Sequence, residues 1–191
     1  MWRKWPWVGH NSPVMESQET ARTTHKLPTP RHYVGMMAAI IIIVAAIDQA
    51  VKALMLNWLN PGEVVAVIGD WFRFRLLFNP GAAFSMGENS TWLFTCIQIA
   101  FVVGVSVYAP KVTEKWQAVG LAMIAGGALG NLIDRLFREP AFFIGHVVDY
   151  ISVGNFAVFN IADASITCGV IVFIVGIFIE GRRAGHNNGG A

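Results

Sequence analysis

Four stretches of the chain carry almost no charge: about residues 33–56, 91–108, 116–133 and 161–179. Each is close to the roughly 20 residues that cross a bilayer as an α-helix at about 1.5 Å of rise per residue. Between the first and second stretches the period changes. Residues 63–68 are rich in Val and Ile, Gly69-Asp70 is a two-residue turn signal, and from Trp71 onward Phe72, Phe74 and Leu76 alternate with Arg73 and Arg75. That alternation predicts a β-hairpin with one apolar and one basic face. An isolated hairpin is marginal in water, so its apolar face should rest on the helices or on the membrane. The expected fold class is an all-α polytopic membrane protein, four transmembrane helices with a small β-hairpin outside the bilayer.

Composition agrees: of 191 residues, 54% are hydrophobic and only 14% are charged, which excludes an ordinary soluble domain. Four crossings put both ends of the chain on one side, and Lys and Arg choose that side. Arg3, Lys4, Arg22, Lys26 and Arg31 precede the first span, Lys111 and Lys115 separate the second from the third, and Arg182 and Arg183 follow the fourth. The opposite loops hold Arg73, Arg75 and Arg138. Cytoplasmic loops carry the positive excess, so both termini are expected in the cytoplasm and residues of about 57–90 and 137–160 outside. The net charge of +2 is explained by this asymmetry and gives no support to nucleic-acid binding.

Three regions follow. Residues 1–32, with Trp2, Trp5 and Trp7 and many Pro, Ser, Thr and basic residues, read as a mobile cytoplasmic extension whose tryptophans could dip into the interface. Residues 33–180 form the membrane domain, and 181–191 a cytoplasmic tail. The first span lies too far from Met1 and is too long for a signal-peptide core, and it carries Asp48 and Lys52, so it reads as a retained anchor. Cys96 and Cys168 fall within spans and read as small packing residues. No Cys or His cluster has ligand spacing, so no metal or other cofactor is expected.

The remaining polar residues gather toward the outer ends of the spans. Asp48 and Lys52, four apart, share a helix face as an ion pair, either supporting chemistry or anchoring the helix end with Lys52 snorkelling outward. Asn79-Pro80-Gly81-Ala82-Ala83-Phe84-Ser85 is a turn ahead of a helix, in which Asn79 could also hydrogen-bond a peptide backbone. Small residues from Gly126 to Gly130 permit close helix contact, while Asn131 and Arg135 present an amide and a cation on one face. Asp149 sits in Val147-Val148-Asp149-Tyr150, where a loop carboxylate is the simplest reading. Asp163 opens the fourth span, where Asn160 can be the N-cap and Asp163 a helix-start acid. Taken together the two aspartates suggest more: paired carboxyls split their pKa values, so that one serves as base and the other as acid in amide hydrolysis.

The ordered series Asp48 with Lys52, Asn79-x-Gly81-Ala82-Ala83-Phe84-Ser85, Gly130-Asn131-Leu132-Ile133-Asp134-Arg135, Val147-Val148-Asp149-Tyr150 and Phe159-Asn160-Ile161-Ala162-Asp163 closely resembles the bacterial lipoprotein signal peptidase family, also called signal peptidase II. The resemblance spans about residues 33–179 and leaves both tails unexplained. It implies an aspartic-type membrane peptidase of the bacterial cytoplasmic membrane that cuts lipid-modified prolipoproteins just before the diacylglyceryl cysteine. It implies Asp149 and Asp163 as the catalytic pair, Asn79, Gly130, Asn131, Arg135 and Asn160 as residues lining the site, and Asp48 and Lys52 as structural support. An extracytoplasmic β-element, membrane lipid as a neighbour and inhibition by globomycin are further implications. Ala164 departs from the Ser common at that position in the family. The non-enzyme rival is a small transporter or ion-conducting protein, which would spread polar groups through the depth of the spans. A serine peptidase built on Ser85 or Ser152 with His146 lacks the G-x-S-x-G elbow.

Overall fold

The structure, a computed structural model, describes residues 33–81 and 91–188. The extension at 1–32, with its tryptophans, and Ala82, Ala83, Phe84 and Ser85 of the turn motif lie outside the described residues. Four helices, α1 (Val34–Trp58), α2 (Thr91–Tyr108), α3 (Lys115–Phe137) and α4 (Ile161–Asn188), alternate with three strands, β1 (Val64–Ile68), β2 (Phe72–Asn79) and β3 (Val147–Val153). All four helices are long and apolar enough to cross a membrane. The architecture is thus a multi-pass membrane protein with a small antiparallel sheet.

Helix α3 sits in the middle. About 56% of its most apolar window is buried, against 17% in each of the other three, and its mean hydropathy is the lowest of the four. It buries Ala118, Gly120, Ala122, Ala125, Gly126, Gly127, Ala128 and Gly130, because only small side chains let neighbouring backbones approach. A Cβ added at Gly120 would lie 2.7 Å from the backbone nitrogen of Phe173 on α4. Helix α1 turns Ala45, Asp48, Lys52 and Met55 inward at spacings of three and four, and leaves Ile42, Ile43, Ile47 and Leu54 exposed on the face suited to lipid. Cys96 and Cys168 are exposed as well, which corrects their reading as packing residues. A span apolar on all sides gives no period from which to tell its inner face from its outer one.

The hairpin forms as its alternation predicts, with Val64 opposite Arg75 and Ala66 opposite Arg73. It is docked: Phe74 and Leu76 pack on a cluster of Met55, Leu59, Val148 and Tyr150, which ties the sheet to the end of α1. The strand order β1-β2-β3 adds a third member that the pattern did not announce, and this strand carries Asp149. Val147, Val148, Asp149 and Tyr150 are all buried, so β3 lacks the in-out alternation of a half-exposed strand. Between β2 and β3 the register shifts, with Phe74 opposite Ile151 but Leu77 opposite Asp149, so that Arg75 and Leu76 together face Tyr150. Such a bulge re-aims the strand beyond it, here toward Asn79. Because β1 and β2 follow α1 while β3 follows α3, the shared sheet puts both connections at one end of the bundle.

Candidate active site

The centre of the polar cluster is Lys52, fully buried on α1. An ammonium has three donors and no acceptor. Lys52 Nζ lies 2.7 Å from Asp48 Oδ2 and 2.8 Å from Asp134 Oδ2, and donates to Asn131 Oδ1 at 2.9 Å. Every donor is matched, so the alternative in which Lys52 snorkels outward does not describe this molecule. Asp134 also takes Arg138 Nε at 2.6 Å and Gln49 Nε2 at 3.0 Å. Gly130 leaves the space that this arrangement needs: a Cβ there would stand 2.6 Å from Asp48 Oδ2. Its carbonyl accepts from Gln49 Nε2 at 2.9 Å.

Each of the two acids holds the residue just ahead of an aspartate. Asp134 Oδ2 accepts the backbone N–H of Val148 at 3.1 Å, and Asp48 Oδ1 accepts that of Ala162 at 3.0 Å. Asp149 and Asp163 come next in the chain. The cluster therefore fixes where β3 and the start of α4 stand relative to α1 and α3.

Three asparagines complete the arrangement. Lys52 can only donate, so it fixes Asn131 with Oδ1 toward the ammonium, and Asn131 Nδ2 is left to donate to Asp163 Oδ1 at 2.8 Å. Asn160 Nδ2 donates to Asn131 Oδ1 at 3.1 Å and to Asp149 Oδ1 at 2.6 Å. Asn79 Nδ2 donates to the other oxygen, Asp149 Oδ2, at 2.9 Å. Asn160 also caps α4: its backbone N–H donates to Asp163 Oδ2 at 3.2 Å, and its Oδ1 accepts the Asp163 N–H at 3.0 Å. This is the reciprocal geometry of a capping box. The capping reading and the site reading thus use the same atoms.

Asp149 and Asp163 line one cavity of about 530 Å³ with Asn79, Phe159, Ala164 and Thr167. Cys168 belongs to the same wall. Asn131, Asn160 and Arg135 are buried behind it, so they act on the carboxylates through hydrogen bonds and charge rather than by facing the cavity. Arg135 lays its guanidinium over the Phe94 ring at 5.5 Å, and Nε and Nη1 have no acceptor among the described residues. Burial drives the Asp149 carboxyl up to about 7. The nearby Asp163 charge adds to the rise, while the Asn79 and Asn160 amides oppose it. A carboxyl poised there can carry a proton into a reaction near neutral pH.

Two further positions escaped the reading of the chain. Asp134 stood inside a motif without a role, although its spacing of three from Asn131 and four from Arg138 marks one helix face. Thr95 on α2 donates to the Phe143 carbonyl at 2.8 Å and so pins the loop that leads into β3; nothing in its local sequence signals that.

Comparison with known proteins follows the same lines. Residues 40–179 match the family described as signal peptidase (SPase) II. A lipoprotein signal peptidase of Rhodococcus jostii is 45% identical over 75% of this chain and 74% of its own length. One of Mycobacterium tuberculosis is 38% identical over 88% and 84%. A solved bacterial membrane enzyme, determined by the in meso method, superposes with a TM-score of 0.68 at 28% identity, covering 78% of this chain and 92% of the other.

Replacing Lys52 by Met should strip Asp48 of its cation and leave Asp134 with Arg138 alone, at a cost of about 3–5 kcal/mol. Adding Asp48→Asn to that variant should recover part of the loss, because the stranded Asp48 charge is gone. Thermal unfolding in detergent reads both, and strictly additive effects of the two changes would contradict the coupling.

Proposed function

This chain belongs to the signal peptidase II family, and we propose that the pair formed by the buried Asp149 and the half-buried Asp163 makes it a peptidase of the aspartic type. As a member of the family it is a membrane peptidase that removes signal peptides from prolipoproteins. One observation carries the finer reading: Asn160 donates its side chain to Asp149 and its backbone to Asp163, so a single residue tethers both carboxyls to one cavity. The scissile bond is the one just before the lipid-modified cysteine. Asp163 takes a proton from the attacking water and Asp149 gives its own to the carbonyl oxygen. The tetrahedral adduct collapses as Asp163 passes the proton it took from water to the leaving amine and Asp149 recovers its own from the adduct hydroxyl. Asn131, Asn160 and Arg135 position the acids, Asn79 adjusts Asp149 from inside the cavity, and Gly130, Asp48 and Lys52 hold the frame.

The peptidase domain is 33–180, and 1–32 and 181–191 lie in the cytoplasm with both termini. The sheet and the cavity face outward, where a lipidated precursor and membrane lipid meet them, and globomycin competes for the cavity. Support comes from the apolar wall of Phe159, just ahead of α4, and of Ala164 and Cys168 on α4, which adjoins Asp163 and suits a hydrophobic ligand.

Labelling from either side of sealed vesicles tests the orientation. Residues 63–75 should react from outside and 111–115 from inside; the reverse pattern would put both aspartates on the wrong face. Replacing Asp149 or Asp163 with Asn should lower cleavage of a lipidated precursor by orders of magnitude, with the double change little worse than either, since groups that act as a unit are not additive. Binding should survive. Capping alone assigns Asp163→Asn a stability cost of at most about 2 kcal/mol with turnover per folded molecule intact, so near-normal turnover would remove that aspartate from the mechanism.

The rate should also fall as pH rises through about 7, because Asp149 loses the proton it must donate. The Asn79 amide favours the charged form of Asp149, so Asn79→Ala should move that alkaline limb to higher pH whatever it does to the maximal rate. A pH profile of kcat/KM reads the shift. An unmoved or downward-moved limb would assign the ionisation elsewhere.

A further inference from the structure

Beside the catalytic cavity lies a second depression, of about 400 Å³, on the basic face of the sheet. It is lined by Arg73, Arg75 and Leu77 of β2 and by Ser152 of β3, and it ends at Asn79. Asn79 and the 156–158 segment line both spaces, so the two are adjoining. Asn79 donates to Asp149, which places one end of the groove at a catalytic carboxyl.

The groove differs from the cavity in charge. Arg73 donates to the Gly154 carbonyl at 3.1 Å, and its Nε is sealed from solvent without an acceptor among the described residues. Neither Arg73 nor Arg75 forms an ion pair with a described carboxylate. Two cations on one small surface, of which Arg75 is the exposed one, suit a carboxylate, which a guanidinium can take through paired hydrogen bonds.

We propose that this groove is a subsite for the precursor chain downstream of the cut bond and that it favours an acidic side chain there. The inference rests on the function proposed above. The signal peptide is an apolar segment and suits the wall that follows α4. The mature part must then leave by a polar route, and the groove leads from Asp149 over the sheet. Four residues separate Asn79 from Arg75, about 13 Å of strand at roughly 3.3 Å per residue. An extended peptide covers that with about three or four residues, so Arg75 meets the third or fourth residue after the cut.

The test uses full-length enzyme in phosphatidylcholine vesicles and lipidated precursors carrying Asp, Ser or Lys at the third and fourth positions after the cut. Wild type should cleave the Asp precursor with kcat/KM about fivefold above the Ser form, mainly through KM, and the Lys form more slowly still. Arg75→Gln should erase the difference, and Arg75→Glu should turn it toward Lys. Equal losses on all three precursors would assign Arg75 a structural role and overturn the proposal. So would a preference that appears only when phosphatidylglycerol is added, which would make the groove a lipid headgroup site. Titrating the same precursors onto Asp149→Asn enzyme reads affinity without cleavage: affinity blind to precursor charge sinks the groove, whereas cleavage by that variant sinks the catalytic assignment instead.

Discussion

A single buried ammonium organises this molecule. Lys52 would be intolerably placed among apolar helices unless every donor were met, and it is met by groups from α1 and α3 at once. The same two carboxylates then reach outward, Asp48 to Ala162 and Asp134 to Val148, and so set the residues on which the aspartate pair depends. Each acid of the pair is one residue along from an anchor that ends at Lys52. A fully matched network of this kind in low dielectric stiffens its members, and that is the condition a catalytic geometry needs. Small residues on α3 are the other half of the constraint. With no side chain at Gly130 the Asp48 carboxylate fits, and the close approach of α3 and α4 brings Asn131 to Asp163.

What could be read from the chain was whatever leaves a periodic or local trace. Four apolar runs mark four helices, alternation from Trp71 marks the hairpin, and a spacing of four joins Asp48 to Lys52. Strand β3 left no such trace, because a segment buried on both faces loses its alternation. Asp134 was hidden for a related reason: its partners Lys52 and Val148 are distant in sequence, and only folding brings them near. The division of labour among the asparagines was also out of reach. Asn79 faces the cavity while Asn131 and Asn160 stand behind it, and this follows from rotations that motif spacing does not encode.

The doubling of Asn160 as helix cap and tether has a consequence for how the site holds its shape. A cap made by a side chain alone could relax when a ligand pulls on the carboxylate. Here Asp163 is gripped by the Asn160 backbone and by Asn131, whose own orientation is dictated by Lys52. Moving Asp163 would therefore disturb the helix start and the buried ammonium together. The freedom left to Asp149, which faces the bulge of β2 from β3, lies in its protonation.

That freedom is electrostatic, and it opposes stability. A carboxyl whose pKa in the folded protein stands at about 7, well above the ordinary 3.8, is favoured in its neutral form by the fold. Its contribution to stability is complete below the unfolded pKa and is lost as pH rises through about 7, a swing on the order of a few kcal/mol. The burial that keeps Asp149 protonated thus weakens the folded state on the alkaline side. The amides of Asn79 and Asn160 limit that loss by stabilising the charged form, and in doing so they hold the pKa down to where a proton can be both kept and given. Stronger donors would lower the pKa and leave Asp149 without its proton near neutral pH, while weaker ones would keep the proton and deepen the alkaline loss. Two neutral amides on two oxygens lie between those limits.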